Sequence, residues 1–277
     1  MSERIIVRGG GDLATGTIYK LYKSGFQVLV LETDYPSAIR RNVAFSEAVY
    51  EGRQQVEDVT CYRADTLEEA EAMLAAGRLV LLVDPAGKSI PIFQPFAVVD
   101  AILAKKNLGT DKSMAELTVG VGPGFTAGVD VDVVVETKRG HQLGRLLYEG
   151  AAIANTGIPG IVGGYGRERV IHSPAQGTME NICHITDMVE ANQIIALIHT
   201  KEGNVPVKAG ISGLLRGFIR DGYPVTKGFK IADVDPRADE YQKCFTISDK
   251  ARCIGGGVLE AILHALAEKE RGEKKEG

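Results

Sequence analysis

The sequence has no tryptophan, only four cysteines and no long apolar run, and each absence excludes a class of protein. Cys61, Cys183, Cys244 and Cys253 lie far apart without a C-x-x-C pair, which argues against a disulfide scaffold or a thiolate metal site. They read as reduced thiols. No stretch approaches the ~20 apolar residues of a membrane helix. The start, Met1-Ser2-Glu3-Arg4, runs straight into a strand-like segment rather than the apolar core of a leader. The expectation is a cytoplasmic chain with no membrane partner. Lys plus Arg number 32 against 36 Asp plus Glu, a net charge of −4, so the basic excess of a nucleic-acid binder is missing. What remains is 277 residues, 44% hydrophobic and 25% charged, enough for one large or two smaller globular domains at roughly 150 residues each.

The first half alternates strand-like and helix-like periods. Ile5-Ile6-Val7 reads as a buried strand, then a glycine turn, a helical pattern through Tyr22, and a second strand over Gln27 to Leu31. Thr66 opens a helix with Glu69 three residues on and Gly77 closing it. Leu79 to Val83 is an all-apolar strand, Phe96 to Lys106 reads as a helix, and Leu117 to Val121 as a strand. Runs apolar on both faces and separated by helices predict a doubly wound, Rossmann-like parallel sheet over residues 1–160.

Beyond about Gly160 the helical periods stop. Slid against itself by 36 residues, the chain aligns Gly177 with Gly213, Val189 with Val225, Ile195 with Ile231 and Ala196 with Ala232. Two such units predict a smaller all-β module over 161–240, a barrel-sandwich hybrid of the biotinyl/lipoyl kind. Its central hairpin, Thr200 to Asn204, lacks a Met-Lys-Met, so Lys201 is not expected to carry a prosthetic group. Residues 241–277 read as a strand, a glycine turn at Gly255-Gly256-Gly257 and a helix returning to the first domain.

The strongest chemical signal is Arg8-Gly9-Gly10-Gly11-Asp12-Leu13-Ala14-Thr15-Gly16, in which Gly9, Gly11 and Ala14 fit G-x-G-x-x-A between a strand and a helix. Such a turn brings backbone N–H groups and the positive end of a helix against phosphate. Glu32, 21 residues after Gly11, ends the second strand, where a carboxylate would meet ribose hydroxyls. Gly9, Gly10, Gly11, Ala14, Thr15, Glu32 and Arg41 are therefore candidate cofactor-binding residues, with Arg40 beside Arg41; Asp12 reads as a helix cap. The loop GVGPGFTAG follows a strand and adds Gly122 and Gly124. His141, between Arg139 and Arg145, and Asp84, at a strand end, are candidates for acid–base work. The remaining histidines show no ligand spacing, so no metal is expected. The ligand class is a nucleotide, with NAD(P) or a molybdopterin (cytosine) dinucleotide as the cofactors considered.

The motifs VRGGGDLATG, IRRNVAFSEAVYEG, VGPGFTAG with ETKRGHQLGR, ISGLLRGFIRDG with VDPR, and KARCIGGGVLEAIL together resemble the YqeB-type selenium-dependent molybdenum hydroxylase system proteins, nearly end to end from Ile5 to Leu263. These are distantly related to XdhC/CoxI accessory proteins through a Rossmann part. The resemblance implies an accessory protein maturing selenium-dependent molybdenum hydroxylases, handling the molybdenum cofactor or its nucleotide and docking a client enzyme, more a binding protein than a turnover enzyme. Alternatives are an NAD(P)-dependent oxidoreductase and a non-catalytic interaction protein with a vestigial nucleotide pocket. A homo-oligomer is compatible with all three.

Overall fold

The computed structural model describes residues 3–276 apart from residues 156, 158, 159 and 238. The chain divides into two compact units. The first comprises Met1–Pro36, Ala44–Asn155 and Ile247–Gly277; the second comprises Ser37–Val43 and Thr156–Thr246.

In the first unit the strands are β1 (Arg4–Arg8), β2 (Gln27–Glu32), β3 (Arg53–Val56), β4 (Val59–Ala64), β5 (Leu79–Val83), β6 (Ala97–Asp100), β7 (Leu117–Val121), β8 (Thr126–Ala127), β9 (Val133–Val135), β10 (Leu146–Leu147) and β11 (Gly150–Ala151). The helices are α1 (Asp12–Lys23), α2 (Ala48–Glu51), α3 (Leu67–Ala75), α4 (Ile90–Phe93) and α5 (Asp249–Glu276). One nine-stranded sheet runs β10-β9-β7-β6-β1-β2-β5-β4-β3. Its middle is parallel, and its strands are apolar because both faces are covered: Ile5, Ile6, Val7, Val28, Leu29, Val30, Leu79, Val80 and Leu81 are fully buried. At roughly 1.5–3 kcal/mol per buried aliphatic side chain, these strands supply most of the unit's stabilisation.

The second unit contains β12 (Val170–His172), β13 (Gly177–Asn181), β14 (Met188–Val189), β15 (Ile194–Thr200), β16 (Gly203–Lys208), β17 (Gly213–Phe218), β18 (Pro224–Val225) and β19 (Lys230–Asp235). They form two four-stranded antiparallel sheets, β12-β19-β17-β14 and β16-β15-β13-β18. Residues of both sheets, among them Met179, Ile195, Ile198, Leu215, Phe218, Ile231 and Val234, share one core. β13, β14 and β15 begin 36 residues before β17, β18 and β19.

The expected fold class is corrected by this architecture. A doubly wound sheet needs a helix on each crossover, whereas β6 reaches β7 and β7 reaches β9 without an α-helix. Antiparallel pairings of β3 with β4 and of β10 with β9 close both edges, so the sheet is mixed. In the second unit two separate sheets stand where a biotinyl/lipoyl-like barrel-sandwich hybrid was expected; among the described residues no backbone ladder joins them into a barrel.

Two local expectations also change. Phe96 to Lys106 contains β6, not a helix: Val98 and Val99 lie between β1 and β7 in parallel register, buried on both sides, where β-branched side chains pack well. Gly255, Gly256 and Gly257 lie inside α5 rather than in a turn, so their N–H groups are engaged in the helix. The expected cap Thr66 is in place, its hydroxyl accepting from Glu69 N–H at 3.2 Å.

Candidate functional site

The carboxyl ends of β1, β2, β5, β6 and β7 all open toward one rim of the first unit, as parallel strands must. β1 ends in Arg8, whose guanidinium is buried and held by Thr110 and by Asp100, at 3.7 Å; Thr110 Oγ1 in turn donates to Asp100 Oδ2 at 2.6 Å. This buried network ties β1 to β6 just before the glycine turn begins.

The three glycines do different work. Gly9 has φ +94°, and a β-carbon there would stand 2.9 Å from Ile102 Cα and 3.0 Å from Ala101 O, so only glycine fits. Gly10 lies against Ser46, whose N–H donates to Gly10 O at 2.8 Å. Gly11 is the N-cap of α1 with φ −64°, a conformation open to any residue, and nothing lies within 4 Å of where its β-carbon would point. Neither backbone nor packing requires glycine at position 11. Gly11, as the N-cap residue, has no side chain with which to cap α1, and Asp12 lies in the first turn.

Thr15 and Ala14 serve the turn from behind. Thr15 Oγ1 accepts from Phe45 N–H at 3.0 Å and donates to Gly11 O at 3.0 Å. Ala14 is buried, its small side chain allowing α1 to lie close. Glu32 reaches back from β2: its carboxylate accepts from Gly10 N–H and from Thr33 N–H, both at 2.8 Å. Burial pushes its pKa above the ordinary carboxylate range, against the pull of those two N–H groups.

Other expected residues are placed elsewhere. Arg41 belongs to the second unit, where its Nε donates to Phe218 O at 2.8 Å, and Arg40 donates to Lys243 O at 2.8 Å in the same unit. Asp84 folds its own loop, accepting from Lys88 N–H at 3.0 Å and from both Ser89 N–H and Ser89 Oγ at 2.7 Å. Burial raises its pKa, but these bonds outweigh that and hold the carboxyl below its usual value; it is an ionised loop anchor. Gly122 (φ +83°) and Gly124 (φ +117°) are required by close approach, to Thr137 and to the Lys106 backbone. His141 is exposed and, among the described residues, has no hydrogen-bond partner.

Three residues with a part in this rim escaped sequence reading. Glu136, almost fully buried, accepts from Thr137 and Lys138 N–H at 2.7 Å and from Ile153 N–H at 2.8 Å. Lys250, half-buried in the first turn of α5, has its pKa lowered by burial and by Arg139, partly offset by the charges of Asp12, Glu136 and Asp249. Ser46 is fully buried beside Gly10. The only sequence signal for Lys250 was its place in the KARCIGGG motif, and the helix contact that places it is tertiary. A β-carbon on Gly16 would collide with Ala251, and one on Gly255 would stand 2.6 Å from Gly16 O, so α1 and α5 cross backbone to backbone. Among the described residues no group of three or more His, Cys, Asp or Glu side chains is arranged to hold a metal ion, and no helix is long and apolar enough to cross a membrane.

Fold and site thus define a two-unit protein: a mixed α/β unit with a glycine turn at its strand ends, and an all-β unit of two sheets. No family model matches the chain. It is 44% identical over 273 residues, 99% of its length, to the uncharacterized protein YqeB of Escherichia coli strain K12. It spans about half of that relative, covering 50% of it.

Among solved structures it has a slight likeness to the ectoine utilization protein EutE (DoeB) of Ruegeria pomeroyi, with 11% identity, a TM-score of 0.26, and coverage of 84% of this chain and 86% of the other. A succinylglutamate desuccinylase/aspartoacylase of Rhodobacter sphaeroides gives 12% identity, a TM-score of 0.27, and coverage of 85% and 86%. An aspartoacylase family protein of Mesorhizobium loti gives 10%, 0.28, and 86% and 87%. Likenesses of this size transfer no activity. Their names come from desuccinylases and aspartoacylases, and the relative's name carries no function. The expected part in maturing selenium-dependent molybdenum hydroxylases is withdrawn, together with the molybdenum-cofactor and selenium assignments, because none of the similar proteins carries it in its name.

Proposed function

We propose that the first unit binds a small-molecule nucleotide, with its phosphate oxygens at the Gly9-Gly10-Gly11 turn. The observation that carries this reading is Gly11: a glycine that its own conformation does not need, with open space where a side chain would go, at the N-terminus of α1. A phosphate there would receive N–H groups of the first turn of α1 and the field of the helix. Glu32 keeps unused lone pairs, since each carboxylate oxygen holds one backbone N–H and can accept a second donor such as a sugar hydroxyl.

Thermal unfolding in the presence of ADP, CTP, NAD, NADP and inorganic pyrophosphate tests this. A ligand at 100 times its dissociation constant stabilises by about 2.7 kcal/mol, and the shift should vanish in Gly11→Val, whose own melting temperature should stay near that of the wild type. Absence of a shift with every probe overturns the reading.

A further inference from the structure

The two repeats of the second unit are related by a twofold that the strand registers follow. Exchanging the repeats turns the pair Thr178–His199 of β13 and β15 into Leu214–Asp235 of β17 and β19. It turns Gly177–Val225 into Gly213–Val189, and Ile194–Lys208 into Lys230–His172. Loop bonds follow too: Cys183 N–H donates to Ile195 O at 3.0 Å, and Ile219 N–H to Ile231 O at 2.7 Å. The repeats part where the first strand of each ends. In the second repeat the segment Ser37–Val43, which belongs to this unit, docks there. Phe218 N–H donates to Ile39 O at 2.7 Å, and Arg41 Nε donates to Phe218 O at 2.8 Å. A β-carbon on Gly217 would lie 3.2 Å from Ile39, β17 is bulged just before it, and Phe218 is fully buried. In the first repeat Ile182 stands in the place of Phe218, β13 runs without a bulge, and the Ile182 N–H turns to Ile195 O at 2.9 Å. Ile182 is 50% exposed, and Met188 and Ile194 on the same loop are 56% and 42% exposed. Gln193 closes that loop, its Nε2 on Cys183 Sγ at 3.6 Å and its Oε1 accepting Glu190 N–H at 2.8 Å. An open groove of about 520 Å³ lies beside Met188 and Glu190.

We infer that the loop Ile182–Ile194 is a docking surface for polypeptide, and that its occupant is the half of the Escherichia coli relative that lies outside the match with this chain. Two observations carry this. The twofold-related end is already covered by an extended segment from far along the chain, so this end of the repeat is one that polypeptide covers. The relative holds about as much polypeptide again as the matched half, and a partner of that size can bury the area a stable interface needs. Three large apolar side chains exposed on one closed loop supply the centre of such a contact. Asp187 and Glu190 flank Met188, so the occupant presents an apolar surface edged with basic groups.

The test co-expresses the full chain with the unmatched half of the Escherichia coli relative, so that neither has to fold alone, and weighs the purified product by light scattering. A one-to-one complex is expected, with backbone hydrogen exchange slowed over residues 182–194. Ile182→Asp and Met188→Asp each place a carboxylate in the apolar centre. Each should lower recovery of the complex about tenfold or more, while the melting temperature of the chain alone stays near that of the wild type, because both side chains are half exposed. Absence of a complex overturns the inference. A complex recovered equally from both variants puts the contact elsewhere and overturns it as well. If both variants melt lower, exchange in the wild-type complex decides, and exchange unchanged over 182–194 overturns the assignment. A chain that dimerises by itself and is made monomeric by Ile182→Asp has a second copy as the occupant, which also overturns it.

Discussion

At the residue scale, the glycine turn separates what the backbone demands from what a ligand would. Gly9→Ala forces a β-carbon into the Ala101–Ile102 backbone at φ +94°, and should cost about 1–3 kcal/mol or more, seen as a lowered denaturant midpoint. Gly11→Ala meets neither strain nor neighbours and should change stability by less than about 0.5 kcal/mol; a large loss there would mean that the space is not open. Glu32 makes a pH prediction. Its folded pKa is raised above the ordinary 4.5 by burial, so its contribution is fully present below that value and is lost as pH rises through the elevated folded value. Urea midpoints of the wild type minus those of Glu32→Gln should therefore decline from pH 4.5 toward neutrality. A difference flat in pH would show that the carboxylate is solvated.

At the element scale, α1 is held by two things: its packing on the sheet and its crossing with α5. That crossing depends on small residues at Gly16, Ala251 and Gly255, where backbone meets backbone and no flexible side chain can yield. Gly16→Ala should cost about 1–3 kcal/mol through overpacking, although alanine is intrinsically the better helix former. An increase in melting temperature would show that the helices can separate freely. Thr66→Ala removes the α3 cap, whose hydroxyl accepts Glu69 N–H while Glu69 accepts Asp65 N–H at 2.9 Å. The loss should be about 1 kcal/mol, measurable as a shifted urea midpoint without a change in slope.

At the scale of the whole molecule, the two units are stabilised by different means. The first relies on apolar strands buried on both faces. The second adds a charged cluster at the end of β19: Asp233 is held by Arg169 and Arg216, and Asp235 by Arg216 at 3.0 Å and Arg237 at 2.8 Å, both aspartates being almost completely buried. Burial raises the Asp235 pKa, but the Arg237 bonds and the charges of Arg216 and Arg237 outweigh that and hold it below 3.8. Its contribution is present above that value and lost as pH falls through the depressed one, opposite in sense to Glu32. Asp235→Ala leaves Arg216 short of a partner and should cost about 3 kcal/mol at neutral pH, with the deficit shrinking in acid. A deficit independent of pH would mean that packing, not charge, is what the substitution removes.

The strands of the first unit were legible in the sequence, because all-apolar runs such as Leu79-Val80-Leu81-Leu82-Val83 suit only a position buried on both faces, but the doubly wound sheet expected from them is not the one that forms. The 36-residue recurrence of β13 to β15 in β17 to β19 was legible too, since repeated structure needs repeated apolar spacing. The rest was decided only by tertiary contacts. Val98 and Val99 became a strand because two parallel neighbours were waiting to pair with them, where local periodicity read helix. Gly255 stayed helical because α1 passes over it closely enough that a side chain would not fit. Arg41, adjacent in sequence to the second strand's loop, was drawn into the second unit by the Phe218 carbonyl. Ser46 and Lys250 joined the rim of the glycine turn through contacts spanning tens to hundreds of residues, which no local pattern encodes. Periodicity and turn chemistry are properties of neighbours along the chain; pairing partners and helix crossings depend on which surfaces meet after folding.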